Sequence, residues 1–153
     1  MKTLEYTTTT GKKLKLRAVH PSMINRLTSG IKWPEKPYYT REIAGGEVER
    51  IYHDENSLET PDEHAAWDAY LQEMSDAEDD YLRRKVKLFI RHGVETDTPE
   101  GVDLVQYVEE QCIGTMTDVL AILRGIDRLS TIDMEALAEV EKNFRGQMEG
   151  NPA

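Results

Sequence analysis

The sequence predicts an α+β fold, mainly α, with one or two N-terminal β-hairpins, a long central helix and a C-terminal helical bundle. Three observations carry that expectation. β-branched and aromatic residues alternate around Gly11, Thr60-Pro61-Asp62-Glu63 opens a stretch free of proline and glycine as far as Gly93, and short apolar stripes at helical spacing fill the remainder.

Thr3 to Thr9 read as the first strand, Gly11-Lys12 as its turn, and Leu14, Leu16 and Ala18 as one face of a return strand. Pro21 and Ser22 then open a short helix with Met23, Ile24, Leu27 and Ile31 as its stripe and Gly30 at its end. Pro34 and Pro37 lack an amide donor and push their predecessors toward extended geometry, so Lys32 to Pro37 is expected to form an exposed arm or connector. Tyr38 to Ile43 and Glu47 to Tyr52 flank Ala44-Gly45-Gly46 as a second hairpin. Its strands are short and polar enough that ordering on a partner is the alternative.

The central helix should begin at Thr60. The threonine oxygen can accept from the N3 amide, proline suits the first helical position, and Glu63 can reach back to the cap amide. About 32 residues follow, ~48 Å of helix. Trp67, Met74, Tyr81 and Leu88 recur every seven residues, and Tyr70, Leu71, Ala77 and Phe89 widen the stripe. Acidic residues crowd its start, while Arg83, Arg84, Lys85, Lys87 and Arg91 fill its last turns, an order that complements the helix dipole.

Three shorter helices are expected next. One runs from Thr98-Pro99 to Cys112 with Val105, Val108 and Cys112 inward. Another runs from Thr117 through Leu129 on Val119, Leu120, Leu123 and Ile126, and the last starts at Asp133 and buries Leu137, Val140 and Phe144 before Gly146. Residues 1–146 thus read as a single domain, β-rich with a proline-rich arm over 1–59 and helical over 60–146, and residues 147–153 as a flexible tail.

The totals narrow the function classes. A chain of 153 residues can bury a real core, and its one cysteine rules out an internal disulfide. No apolar run approaches the roughly 18 residues of a membrane span, and the N-terminus lacks a signal-like apolar block, so the expectation is a protein that stays in the cytoplasm. Residues 1–41 hold nine Lys/Arg against Glu5 and Glu35, a net of +7, which leaves −17 for the rest of a chain whose total is −10. The acidic bulk disfavours nucleic acid as a partner.

The sequence carries no nucleotide-binding, zinc-protease, hydrolase-elbow or dithiol motif, so no catalytic residue, no cofactor and no metal are expected. His53-Asp54-Glu55 with His64 is the nearest approach to a metal site, but a solvated helix entry accounts for it. Adjacent carboxylates such as Asp79-Asp80 and Glu109-Glu110 diverge on a helix, and Cys112 sits on an apolar stripe as a core thiol would. Large aromatics in a segment that cannot easily bury itself are a different signal. Trp33, Tyr38 and Tyr39 in the arm, with Trp67, Tyr70, Met74 and Tyr81 along the helix, are the candidate partner-binding residues. Folding back over the core is the other reading of the arm aromatics.

Residues 11–92 carry a short β start, then Val19-x-Pro21-x-Met23-Ile24-x-x-Leu27, the arm Pro34, Pro37 and Tyr39, the run Gly45 to Glu49, the run His53 to Trp67, and the long helix after it. In this layout they resemble the tail assembly chaperones of long-tailed bacteriophages. The resemblance implies binding to the long helical tape measure protein in the host cytoplasm and recruitment of the tail-tube protein, a role that several copies along the client, a homo-oligomer, would suit. A structural virion protein, an adaptor or tail-tip subunit acting by protein contacts, is the alternative. A DNA-mimicking decoy fits less well, because the first 41 residues are basic.

Overall fold

The computed structural model describes residues 2–149, with the side chains of 132–134, 136–137 and 146–149 outside that description. The fold is α+β: β1 (Thr3–Thr7), β2 (Lys13–Arg17), α1 (Pro21–Gly30), β3 (Tyr38–Glu42), β4 (Val48–Tyr52), α2 (Pro61–Gly93), β5 (Val94–Glu95), α3 (Leu104–Tyr107), a π-helical turn (Val108–Cys112) and α4 (Met116–Glu149). Contacts divide the chain into two compact units, Met1–Leu27 with Arg84–Ala153, and Thr28–Arg83.

The first unit holds a three-stranded antiparallel sheet in the order β1-β2-β5. The hairpin closes around Gly11, where the Thr8 amide donates to the Lys12 carbonyl at 2.8 Å. Leu14 and Leu16 lie on the buried face of β2, as the alternation predicts. β5 is too short to show as a pattern in sequence. It pairs Lys15 with Glu95 and Leu16 with Val94, and the Thr96 hydroxyl adds a bond to the Lys13 carbonyl. The core joins Leu14, Leu16 and Val19 to Phe89, Ile90 and Val94, with Val108, Ile122 and Ile126 closing it. Burial of this apolar surface is the main force holding the unit together.

Gly93 is where the helix was expected to stop, and packing gives the reason. A β-carbon there would lie 2.6 Å from Ile126 Cδ1, 3.1 Å from Val19 Cγ2 and 3.2 Å from the Arg17 carbonyl oxygen. Gly93→Ala should therefore destabilise the protein by about 1–3 kcal/mol, read from a denaturant midpoint that falls at unchanged slope.

The C-terminal part differs from the three helices expected. Thr98 to Val102 form a turn through Gly101, whose φ is +80°, so no helix starts at Pro99. Asp103 caps α3 instead, its side chain accepting from the Gln106 amide. The chain then widens into the π-helical turn, with the Ile113 amide bonding the Val108 carbonyl at 2.9 Å. Val105, Val108 and Cys112 do point inward, and burial pushes the Cys112 thiol pKa up, against opposing contributions from Tyr107 and Lys12.

The last two expected helices are one. α4 continues from Met116 to Glu149 because Ser130 and Thr131 turn their hydroxyls back onto the Ile126 and Asp127 carbonyls, at 2.7 and 2.9 Å, and so satisfy themselves within the helix. Ser130 also receives the Val19 amide at 3.0 Å. Leu123 and Ile126 are buried as expected, but Leu120 is exposed, as are Val140 (63%) and Phe144 (62%). Inward packing of those three does not occur, and the expectations for Leu137 and for the tail beyond residue 149 lie outside the described residues.

The second unit combines the β3–β4 hairpin with the arm and the first part of α2. β3 and β4 pair antiparallel around Gly45-Gly46, with Tyr38 opposite Tyr52 and Glu42 opposite Val48. The capping box at α2 forms with one change. Thr60 Oγ1 accepts from the Glu63 amide at 3.2 Å, while the Glu63 carboxylate reaches past the cap residue to the Glu59 amide at 3.2 Å. Along the expected stripe Trp67 and Ala77 are buried, Tyr70, Met74 and Tyr81 half-buried, and Leu71 exposed.

Candidate functional site

Two places hold concentrated polar or aromatic chemistry, and they do different work. The first is Asp118, fully buried in the first unit near the start of α4. Its carboxylate accepts from the Tyr6 hydroxyl at 2.6 Å, from the Thr9 amide and hydroxyl at 2.9 and 2.6 Å, and from the Gly114 and Thr115 amides at 2.8 and 3.3 Å. Burial alone would raise its pKa, but the bonds from Thr9, Tyr6 and the Gly114 backbone outweigh it and hold the carboxyl well below the usual carboxylate range. Its partner Tyr6 is raised, first by that same hydrogen bond. A carboxylate so fully committed to donors ties the β1–β2 turn to the helix. It has no geometry for acting on a substrate.

Sequence reasoning missed Asp118. The signal was Thr115-Met116-Thr117-Asp118, the capping spacing of a hydroxyl residue followed three positions later by an acid.

The second place lies in the unit of residues 28–83 and gathers the arm and helix aromatics. The Trp33 ring stands 5.9 Å from that of Tyr81, and its indole N–H donates to the Thr28 carbonyl at 3.3 Å. Lys36 Nζ lies 5.6 Å above the Trp67 ring, which packs against Tyr70 at 5.4 Å. Trp67 is only 9% exposed, so it serves the unit's interior. The arm thus turns back onto the helix, while Trp33 keeps part of its surface open.

On the hairpin the aromatics stay outside. Tyr38 meets Tyr52 edge-on at 5.8 Å, and the Arg50 guanidinium sits 4.6 Å over the Tyr38 ring. The Arg50 pKa is raised by its neighbours, Tyr38 first and then Tyr52 and Glu35. Tyr39 contacts His53 at 5.1 Å yet remains 48% exposed, and Tyr52, Ile43 and Val48 are exposed as well. Tyr52 and Arg50 were not singled out from sequence, although Val48, Arg50 and Tyr52 fall on one side of a strand that alternates with Glu49 and Ile51.

Beside the arm runs a shallow groove of about 380 Å³ lined by Ile31, Trp33, Pro34 and Ala77, with Glu73, Asp76 and Asp80 along its acidic side and Lys32 at its edge. Apolar floor and carboxylate rim suit a side chain with an apolar stem and a cationic head.

Metal chemistry finds no such gathering. Among the described residues no three of His, Cys, Asp or Glu come together to hold an ion. His53 is buried in the turn before α2, 3.1 Å from Ser57 Oγ and 3.9 Å from a Glu63 oxygen. His20 accepts from the Ser22 amide at 3.1 Å, and the His92 carbonyl receives the Arg17 guanidinium at 2.9 Å. Among the described residues no helix is long and apolar enough to cross a membrane.

No family model matches the chain, and no curated protein or solved structure matches it either.

Proposed function

We propose that the chain works by binding other proteins through the unit of residues 28–83, as a phage tail assembly chaperone that holds the tape measure protein in the host cytoplasm and promotes tail-tube assembly. The observation that carries the reading is the exposure of Trp33, Tyr38, Tyr39 and Tyr52 within this one unit, with Trp33 lining an apolar groove that has acidic side chains along it. Aromatic anchors of this kind dominate binding energy at protein interfaces. A tape measure protein is long and helical, and a lysine or arginine beside the apolar stripe of such a helix matches the groove in shape and charge.

The resemblance over residues 11–92 supplies the client's identity; the surface chemistry supplies the mode of contact. Co-expression with neighbouring reading frames, followed by pull-down on the tagged chain, tests both. Capture of a very long helical protein is expected. Capture of tail-tube or tail-tip subunits without it would speak for a structural virion protein, the reading that the exposed edges of the β3–β4 hairpin also favour. Presence in purified particles would settle between the two, because a chaperone is left behind.

A further inference from the structure

We propose that the outer edge of β3 is a self-recognition edge: two copies of this chain pair β3 against β3, antiparallel about a two-fold axis at Thr40, and make one four-stranded sheet from two hairpins. The inference goes beyond the client reading and does not depend on it.

The register shows which groups are on offer. Bonds from the Ile43 amide to the Glu47 carbonyl at 3.0 Å and from the His53 amide to the Pro37 carbonyl at 2.9 Å put the odd-numbered positions of β3 in the inward-bonded pairs. Tyr38, Thr40 and Glu42 therefore direct their backbone N–H and C=O groups away from β4. Among the described residues β3 and β4 form a sheet of two strands, and all of β3 is exposed. Two strands alone are marginal in water, and β3 carries neither a proline nor a lysine of the kind that blunts a free edge.

The side chains choose the occupant. With Thr40 on the axis, Tyr38 of one copy faces Glu42 of the other, and Tyr39 faces Arg41. The phenol can donate to the carboxylate, the guanidinium can lie on the ring, and Thr40 meets its own twin, a favourable cross-strand pair. Pairing β4 with β4 about its centre would instead set Arg50 against Arg50. Moving the β3 pair toward the glycine turn would set Arg41 against Arg41. Both are like-charge contacts that destabilise. The preferred pairing leaves both faces of the hairpins open and joins the Tyr38 and Tyr52 clusters of two copies into one surface. An edge of five residues is small, so the association is weak and concentration-dependent.

Sedimentation velocity on the full chain over a concentration series tests this, with Thr40→Asp and Thr40→Lys as variants whose folding is checked by circular dichroism. The wild type is expected to shift toward dimer as concentration rises. Each variant alone should stay monomeric, because like charges meet across the axis, and an equimolar mixture of the two should associate again. A wild type that remains monomeric at its highest soluble concentration overturns the proposal. So does a mixture that associates no better than either variant alone.

Discussion

Replacing Asp118 by alanine is expected to cost about 3–5 kcal/mol of stability, because it strands the Thr9, Gly114 and Thr115 amides and two hydroxyls that now share one buried carboxylate. Asp118→Asn should cost less, yet still a large part of this. Hydroxyls can turn to suit an amide, but the three backbone N–H groups cannot. Urea unfolding of the three proteins at neutral pH measures the order directly.

The same residue sets an acid limit. Its carboxyl titrates in the folded state well below its unfolded value of about 3.9, so its stabilisation is complete above that value. As pH falls below about 4 toward the folded-state pKa, the contribution is lost. The wild type should therefore lose stability over that range more steeply than Asp118→Asn, whose curve should be flatter there. Equal slopes would mean the carboxylate is less committed than its five donors imply.

Phe89→Ala is expected to produce the other large loss, about 3–5 kcal/mol, from an emptied site in the middle of the first unit's core. Phe89 is fully buried among residues of the sheet and α4, and Lys85 Nζ lies 5.2 Å over its ring. No neighbour on a rigid strand or helix can collapse far enough to refill the space. A fall in melting temperature on the order of 10 °C should accompany it. Phe89→Leu should recover most of that fall, which separates lost volume from lost aromatic character.

These two residues show what was legible in the sequence. Phe89 lay on a helical stripe, a local period that any buried helix face must display, and its inward direction could be read from that spacing. The hairpin around Gly11 and the start of α2 at Thr60 were legible for the same reason, since turn and cap chemistry sit within four residues. Asp118 is held chiefly by Tyr6 and Thr9, more than a hundred positions away, and no local pattern encodes that. The break expected between Leu129 and Asp133 does not form, because Ser130 and Thr131 bond back within the helix and α4 runs on. Pro99 misled as a helix start, because Gly101 bends the chain and Asp103 supplies the real cap.

For the candidate site, the arm and hairpin aromatics were legible as residues that a proline-bounded segment could not easily bury. Their separation into two roles was not. Trp67 and the inner side of Trp33 serve the unit itself, while Tyr38, Tyr39 and the unsuspected Tyr52 stay in solvent. Deciding between those roles needs the arm's path back across α2, which depends on the contacts of Trp33 with Tyr81 and of Lys36 with Trp67.

The claim that these open aromatics bind a protein partner is tested most directly by the triple variant Trp33→Ala, Tyr38→Ala, Tyr39→Ala, assayed for capture of the co-expressed client and for melting temperature in the same preparation. Capture is expected to fall about tenfold or more while the melting temperature moves by a few degrees at most. Undiminished capture from a protein with a much lower melting temperature would contradict the account.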